Sequence, residues 1–499
     1  MRSINIAVLA QLCGDARFSE YENTYSRRKK KQNILVHEQE TLKDLLLNLE
    51  THTTLEELDG FYFSYSIPQI SKDFDLLRIT KDAVLDIELK SNTVSTEKMR
   101  KQLVRNKYYL GHLERKIHLF TYVKGGQVYT LDESNNLLET TLMDLVDRVK
   151  QTRNIIDIED IDLLFKPSRF LISPLNTPDR FLDGDYFLTD RQEEYKKAVI
   201  DGIEKGKVLF GLTGRPGTGK TLLLYDIAKE LCKERRCLIV HCAPLCQGHE
   251  YLSKHLKNCQ ITTPLDFVRL QDSYLEYDIF LFDEFQRAYN NVFEIITTAT
   301  QNKGKPIIIS FDVGQMLSRA EEDRKLIDKL NSIEGMQVMQ LPEKIRTNKE
   351  IDDFTKKLFK PKKNASIKPD VYPHITVLYS TCRDNTKHLV EYYKQKGFTF
   401  INHSVSLRVV DPFDTLDGMA DSNSHKVIGQ EFDKVLVVMN EMFYYENGVL
   451  KAKRHANPDY LFTKLLYQEV TRTRNELCII VENNPDILTQ IMSNFMIEE

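Results

Sequence analysis

Residues 214–221 read Gly-Arg-Pro-Gly-Thr-Gly-Lys-Thr and match the pattern G-x-x-x-x-G-K-[ST] at every fixed position. Residues 207–212 (KVLFGL) are typical of a short buried strand, and residues 221–232 (TLLLYDIAKELC) are typical of a helix with an apolar face. In this strand–loop–helix setting, loop N–H groups and the helix N-terminus bind phosphate. The sequence therefore predicts a site for ATP, with Lys220 at the β- and γ-phosphates and Thr221 on Mg²⁺. The residues expected to line it are Gly214, Gly217, Thr218, Gly219, Lys220 and Thr221.

A second part of such a site lies at the end of residues 278–284 (DIFLFDE), where four apolar residues end in two acids. An acid at the end of a neighbouring strand is needed to hold Mg²⁺ and to orient the attacking water. We expect Asp283 to be the magnesium ligand and Glu284 to polarise the water.

Composition describes a soluble globular protein of several domains. The chain has 499 residues, of which 41% are apolar and 28% charged, with a net charge of −4. This charge gives no overall attraction to nucleic acid, so any such binding must use local patches. Eight unclustered cysteines suggest a reducing compartment. No run approaches 18 apolar residues, and the N-terminus does not resemble a signal peptide, so we expect a cytoplasmic protein without a membrane span.

The clearest domain boundary is predicted between residues 151 and 185, because an acidic run there leads into a proline-containing segment. The acids are Asp157, Glu159, Asp160 and Asp162; they could be metal ligands, but a solvated linker is the favoured interpretation. After it, continuous apolar runs alternate with helical patterns, as expected for parallel strands covered on both faces. The predicted class is α/β. The runs are 237–240, 278–284, 306–312, 375–379, 434–439 and 477–481.

From about residue 186 onward the chain resembles superfamily 1 helicases, because seven motifs follow in that family's order. The resemblance implies two RecA-like lobes with parallel sheets, at 186–342 and 343–499. It also implies that Gln192 reads the adenine, that Gln315 senses the γ-phosphate, and that Arg346 and Arg472 contact it from the second lobe. The matching segments are 188–192, 241–248 (motif Ia, a single-strand contact), 283–287, 310–315, 341–351, 425–438 (motif V, with Gly429 and Glu431) and 467–477.

Two arginines are also expected on chemical grounds, because phosphoryl transfer spreads negative charge that a guanidinium fork neutralises well. For either arginine alone, a surface ion pair is the equal alternative.

The motifs lie close together, which leaves no room for the large inserted subdomains of duplex-splitting helicases. Unwinding, single-strand translocation and ATP-gated control of another domain therefore stay open. The compact lobes look most like those that bacteria fuse to other modules, with a related lobe in Schlafen-type proteins.

Residues 1–150 carry a separate set of charged residues on a predicted β-hairpin, 74–79 and 84–90 around a turn at 80–83. Alternation places Asp86, Glu88 and Lys90 on one face, which Asp75 can approach from the partner strand. Two carboxylates and a lysine there would hold Mg²⁺, activate water and contact phosphate.

This hairpin resembles the core of PD-(D/E)xK nucleases, which have a restriction-endonuclease-like α/β fold. The resemblance implies Asp75 and Glu88 as metal ligands and Asp75, Glu88 and Lys90 as catalytic residues. It also implies that Gln102, on a basic helix over 95–113, faces the site; Glu38 and Glu40 are candidates for a further acid. The alternative is an edge hairpin whose charges point to water.

Two weaker patterns give little evidence of function. The basic run 27–31 is interpreted as a solvated charge cluster, and His241, Cys242, Cys246 and His249 as a poor match to a zinc site. Three functions stay open: an ATP-dependent nuclease-helicase, a helicase with a non-catalytic N-terminal domain, and a nucleotide-sensing switch. The first is favoured and would suit antiphage defence or DNA repair. It predicts ATP and Mg²⁺ as cofactors and nucleic acid, DNA rather than RNA, as partner; a homo-oligomer or a protein partner stays open.

Overall fold

The structure is a computed structural model, and it describes residues 1–27, 34–67, 72–92, 94–156, 158–165, 170, 172–270, 273, 276–341, 349–360, 372–405, 412–453 and 460–493. The chain divides into two compact units, Met1–Phe170 and Leu171–Glu499. The first unit thus includes part of the segment predicted as a linker, and Phe165 in that segment is buried against Tyr65. Among the helices of these residues, none has the length and apolar character needed to cross a membrane.

The first unit is built on a mixed sheet whose described strands follow chain order, β1 to β6. Neighbouring strands are antiparallel except β3 and β4, which are parallel because helix α4 crosses over between them. The predicted hairpin is confirmed, with β2 at Lys72–Ile79 and β3 at Ala83–Lys90. The other elements are α1 (Ile6–Gln11), α2 (Phe18–Tyr25), α3 (Val36–Leu49), β1 (Phe61–Ile67), α4 (Thr96–Gly111), β4 (Lys116–Val123), β5 (Gln127–Leu131), β6 (Leu137–Thr140) and α5 (Leu142–Gln151).

The two faces of β3 have different chemistry because side chains alternate along a strand. Leu85, Ile87 and Leu89 pack into an apolar core with leucines of α3 and with α5. Asp86 and Glu88 therefore point to the opposite face, where side chains of α4 contact them. Period-two alternation thus places two carboxylates under a helix.

The second unit begins with a lobe built on a six-stranded parallel sheet in the order β12-β7-β11-β10-β8-β9. Its strands are buried on both faces: Ile279 and Leu281 of β10 join one apolar core, and Phe280 and Phe282 join the other. The elements are α6 (Pro178–Asp183), α7 (Asp190–Glu204), β7 (Leu209–Gly214), α8 (Lys220–Leu231), β8 (Cys237–His241), α9 (Gln247–His255), β9 (Cys259–Thr262), α10 (Pro264–Arg269), β10 (Ile279–Asp283), α11 (Asn290–Lys303), β11 (Ile307–Phe311), α12 (Arg319–Asp323), α13 (Leu326–Asn331) and β12 (Gln337–Leu341).

The second lobe of this unit has a parallel sheet in the order β13-β19-β16-β14-β15 and a separate hairpin, β17–β18. The six apolar runs predicted as strands all coincide with strands of the two lobes, and the predicted α/β class with parallel sheets is confirmed. The elements are α14 (Lys349–Phe359), β13 (Ile375–Ser380), α15 (Arg383–Gln395), β14 (Thr399–Asn402), β15 (Ser422–Asn423), β16 (Phe432–Met439), β17 (Phe443–Glu446), β18 (Val449–Ala452), α16 (Phe462–Val470), β19 (Thr473–Glu482) and α17 (Pro485–Ser493).

Candidate nucleotide site and N-terminal carboxylate cluster

The glycine-rich loop joins β7, which ends at Gly214, to α8, which begins at Lys220. Gly217 and Gly219 adopt left-handed φ angles of 75° and 84°, which side-chain-bearing residues rarely adopt. A Cβ on Gly219 would lie 2.5 Å from the side-chain nitrogen of Gln192. The loop therefore needs glycine both for its backbone angles and for its close packing, and its backbone suits a phosphate cradle.

Lys220 lies inside this cradle and is nearly buried. Its Nζ donates to the carbonyl oxygens of Gly214 at 2.8 Å and Arg215 at 3.1 Å, and lies 3.6 Å from Asp312 Oδ2. The ammonium group is thus held at the loop where a phosphate would bind. Asp312, in the predicted 310–315 motif, is a contact that sequence reasoning missed.

The predicted magnesium ligands lie side by side. Thr221 Oγ1 donates to Asp283 Oδ1 at 3.4 Å, and the Ser310 hydroxyl donates to the same oxygen. Asp283 Oδ2 lies 3.3 Å from His241 Nδ1. Burial would raise the pKa of Asp283, but His241 and Ser310 outweigh it and hold that pKa below its ordinary value. A hydroxyl and an ionised carboxylate in contact are a suitable pair of oxygen ligands for Mg²⁺, which keeps several waters.

Glu284 follows immediately and has a left-handed φ of 57°, a strained angle for a non-glycine residue. Its Oε2 accepts a hydrogen bond from Gln286 Nε2 at 2.6 Å and lies 3.7 Å from Arg287 Nε. Arg287 also donates to the backbone oxygen of Gln315 at 2.8 Å. Arg287 therefore contacts both Glu284, which is predicted to polarise the water, and Gln315, which is predicted to sense the γ-phosphate. The sequence did not single it out as a positioning residue.

A small cleft collects most of the predicted nucleotide-site residues from both lobes. The first lobe contributes loop residues, Glu284 and Gln315, and the second lobe contributes Gly429, Glu431 and Arg472. The lining residues are Pro216, Gly217, Gly219, Lys220, Thr221, Glu284, Gln315, Gly429, Glu431 and Arg472. Motifs more than 200 residues apart in the sequence therefore meet at one place.

Arg472 is 5% exposed, so the alternative of a surface ion pair is wrong for this residue. Its guanidinium donates to the backbone oxygens of Gln468 and Gln430, both at 3.3 Å. Burial lowers the pKa of Arg472. Arg474 is a second buried arginine, and it donates a hydrogen bond to Glu431 at 3.2 Å. Sequence reasoning missed Arg474 because it lies in the same segment as Arg472.

Four predicted residues that the structure describes are absent from this lining: Gly214, Thr218, Asp283 and Gln192. Gln192 caps its own helix, accepting from Thr189 N at 3.0 Å, and its Nε2 donates to the Thr218 carbonyl at 3.3 Å. It therefore braces the loop, and its predicted role at adenine stays a prediction. Arg346 lies outside the described residues.

In the first unit, Asp75, Glu88 and Lys90 come together as predicted from the hairpin. Lys90 Nζ lies 3.5 Å from Glu88 Oε2 and 4.0 Å from Asp75 Oδ2, and the Leu89 N–H donates to Asp75 Oδ2 at 2.7 Å. Glu88 is 1% exposed. The alternative of a hairpin with its charges in water is therefore wrong.

Four further residues complete this carboxylate cluster: Lys72, Asp86, Gln102 and Asn106. Asn106 Nδ2 donates to Asp86 Oδ2 and to Glu88 Oε1, each at 2.6 Å, and Lys72 Nζ lies 3.6 Å from Glu88 Oε1. Gln102 donates to Glu88 Oε2, so this predicted residue does face the cluster. Gln102 and Asn106 are four residues apart on a helix and hence on one face, a pattern that could have revealed Asn106.

The charged residues of the cluster change one another's pKa values. Burial and the neighbouring Glu88 raise the pKa of Asp75 and of Asp86. For Glu88, burial acts to raise the pKa, but the nearby Lys72 and Lys90 outweigh it and lower the pKa. Glu88 is therefore the carboxylate that stays ionised most readily.

The other candidates are used elsewhere. Glu38 caps its own helix, and Glu40 pairs with Lys124 at 2.9 Å. His249 Nδ1 accepts from the Cys246 N–H at 3.0 Å, and the described residues contain no group of three or more His, Cys, Asp or Glu suited to a metal ion. The zinc interpretation therefore has no support.

Neither a protein-family model nor a curated protein sequence matches this chain. Among solved structures, it is similar to unliganded Pif1 from Bacteroides sp, at 11% identity and a TM-score of 0.33, over 62% of this chain and 96% of that chain. The Pif1 helicase from Candida albicans has 14% identity and a TM-score of 0.32, over 62% and 98%. The helicase MrfA bound to DNA has 11% identity and a TM-score of 0.33, over 65% and 51%. Values this low transfer no activity to the chain.

Proposed function

We propose that this chain is an ATP-driven, helicase-like motor that acts on nucleic acid, with DNA favoured, and that its N-terminal unit cleaves phosphodiester bonds with Mg²⁺. The main support for the proposed motor activity is one cleft. The glycine-rich loop, the strand-end acid Glu284 and Arg472 of the second lobe meet there. These are the residue types that ATP hydrolysis requires, drawn from two lobes.

Each residue has a separate task in the proposed hydrolysis. Loop N–H groups and Lys220 bind the phosphates, and Thr221 with Asp283 would hold Mg²⁺, which supplies positive charge at the phosphate oxygens when bound. Glu284 accepts a proton from the attacking water, and Arg472 neutralises charge that develops on the γ-phosphate. Because Glu284 and Arg472 belong to different lobes, hydrolysis is sensitive to how closely the lobes approach.

The nuclease part of the proposal rests on element order and on the carboxylate cluster. A helix, three antiparallel strands, a crossover helix and a fourth strand parallel to the third make up α3-β1-β2-β3-α4-β4. Within it, the hairpin β2–β3 and the following helix α4 are the elements on which the resemblance to PD-(D/E)xK nucleases is based. Asp75 and Glu88 would hold Mg²⁺, and Lys90 would contact the phosphate or the attacking water.

One assay on the full chain tests both parts. Labelled linear, circular and single-stranded DNA and RNA are incubated with Mg²⁺, with and without ATP, while phosphate release is measured. We expect ATP hydrolysis stimulated by single-stranded nucleic acid and lost in Lys220→Ala, and cleavage lost in Glu88→Ala and Lys90→Ala but retained in Glu38→Ala. Hydrolysis that persists in Lys220→Ala refutes the nucleotide site, and cleavage that persists in both cluster variants refutes the nuclease site.

A second function, a motor whose N-terminal unit binds without cutting, is favoured by one contact pattern. Both oxygens of Glu88 are already engaged, Oε1 by Asn106 and Oε2 by Gln102, with a lysine near each. Under this function, Glu88→Ala leaves nucleic-acid affinity and ATP hydrolysis unchanged, and the unaltered chain cleaves none of the substrates above.

A further inference from the structure

His241 ends strand β8, directly beside the magnesium-site acid at the end of β10. The two residues are register partners in neighbouring parallel strands, and the Cys242 N–H donates to the Asp283 backbone oxygen at 2.9 Å. Both side chains are completely buried. The imidazole and the carboxylate are therefore held next to each other by the sheet itself.

The contacts of Asp283 divide between its two oxygens. Oδ1 accepts from Thr221 and Ser310, whereas Oδ2 has its close contact with His241 Nδ1, at 3.3 Å. In the part of the chain that the structure describes, neither Oδ2 nor Nδ1 has a hydrogen-bond partner, so their 3.3 Å approach is an ion-pair contact outside hydrogen-bond geometry. A carboxylate bonded through one oxygen can still rotate about its Cβ–Cγ bond, so the contact on Oδ2 restricts the angle at which Oδ1 faces Thr221.

The same imidazole packs against two further elements. The His249 ring at the start of α9 lies 4.3 Å away, centroid to centroid. From the second lobe, Gly429 approaches so closely that a Cβ there would lie 3.6 Å from His241 Cε1. His241 is thus enclosed by the acid on one side and by both lobes on the others, which restricts its rotation.

We propose that His241 is a positioning residue for the magnesium site: its Nδ1 fixes the orientation of the Asp283 carboxylate so that Oδ1 faces Thr221. This inference rests on the proposed ATPase function and adds a residue to it. Groups that orient metal ligands typically change metal affinity or activity by about 10–100-fold when they are removed. His241 does not line the nucleotide cleft but packs against Gly429, which does, so the measurement in EDTA separates an effect through Gly429 from one through magnesium.

The experiment is a Mg²⁺ titration of fluorescent ADP binding to the full chain, with a parallel measurement in EDTA. The variants separate the nitrogen atoms of the ring, since an asparagine amide can donate near the Nδ1 position, a glutamine amide reaches towards Nε2, and phenylalanine has only the ring. We expect His241→Phe and His241→Gln to need about 10-fold more Mg²⁺ for half-maximal binding. His241→Asn should stay close to the unaltered chain, and affinity in EDTA should be equal in all four proteins.

His249→Phe is the matched control, because it removes a neighbouring buried imidazole and leaves the His241–Asp283 contact in place. If His249→Phe shifts the Mg²⁺ requirement as much as His241→Phe, the effect is packing and the inference is wrong. Equal Mg²⁺ requirements for His241→Phe and the unaltered chain also overturn it. If the unaltered chain binds no nucleotide with Mg²⁺, the proposed function fails, and that result is distinct from either of these.

Discussion

Arg472→Ala offers the sharpest test of the two-lobe site, because its effects on stability and on catalysis differ in size. In the folded chain the guanidinium makes two 3.3 Å bonds to backbone oxygens, at the long end of the hydrogen-bond range. Hydrogen bonds to charged groups contribute about 1.5–3 kcal/mol each, and the desolvation of the buried cation offsets part of that. The expected loss of stability is therefore about 1–3 kcal/mol.

The expected loss of catalysis is larger. An arginine that neutralises transition-state charge in phosphoryl transfer contributes about 10³–10⁵ in kcat. At 1.36 kcal/mol per tenfold change, this is about 4–7 kcal/mol of activation free energy. Arg472→Lys keeps the charge but lacks the planar fork, so we expect an intermediate rate.

The assay is steady-state ATP hydrolysis by the full chain, with thermal unfolding measured on the same samples. Arg383→Ala is the control: Arg383 pairs with Glu482 at 2.7 Å in the same lobe but does not line the cleft. A kcat for Arg472→Ala within about tenfold of the unaltered chain, in a protein that still unfolds cooperatively, would refute the assigned role.

Three other predictions concern the loop, the cluster and acid stability. Gly219→Ala combines a φ of +84° with a Cβ 2.5 Å from the Gln192 side chain; we expect nucleotide affinity to fall by about tenfold or more, since left-handed backbone alone costs about 1–2 kcal/mol. Gly206→Ala, at φ +79° with nothing within 4 Å, is the control and should bind normally. Asn106→Leu leaves two buried carboxylate oxygens without their donor, so we expect urea unfolding to show a loss of about 1–3 kcal/mol for each; an unchanged unfolding midpoint would contradict this. Burial lowers the pKa of His249 from 6.5 to about 2, so the unfolded chain binds the extra proton and stability falls as pH drops below about 6.5. The slope is about 1.4 kcal/mol per pH unit, and His249→Phe should remove this part of the acid sensitivity in unfolding measured at pH 7 and pH 5.

Local patterns were sufficient for the elements and for the residues whose roles depend on near neighbours. The glycine-rich loop, the acids at the end of β10 and the hairpin around Asp75 and Glu88 are readable because strand alternation and helix periodicity act over a few residues. Even the fold class follows from such local signals, since apolar strands alternating with helices have few ways to pack.

Contacts between distant segments were decided only by the tertiary structure. The ordered motifs led to Arg472 through a resemblance, but its place in the cleft depends on the packing of two lobes. Lys72 reaches Glu88 from a neighbouring strand, and no spacing rule specifies which long side chain will bend inward. His241 contacts Asp283 because the sheet order sets β8 beside β10, one strand spacing apart, although the two residues are 42 positions apart in the chain. Sequence alone predicted a glycine-rich loop and two groups of acids; the order of strands in each sheet decided which side chains contact those acids.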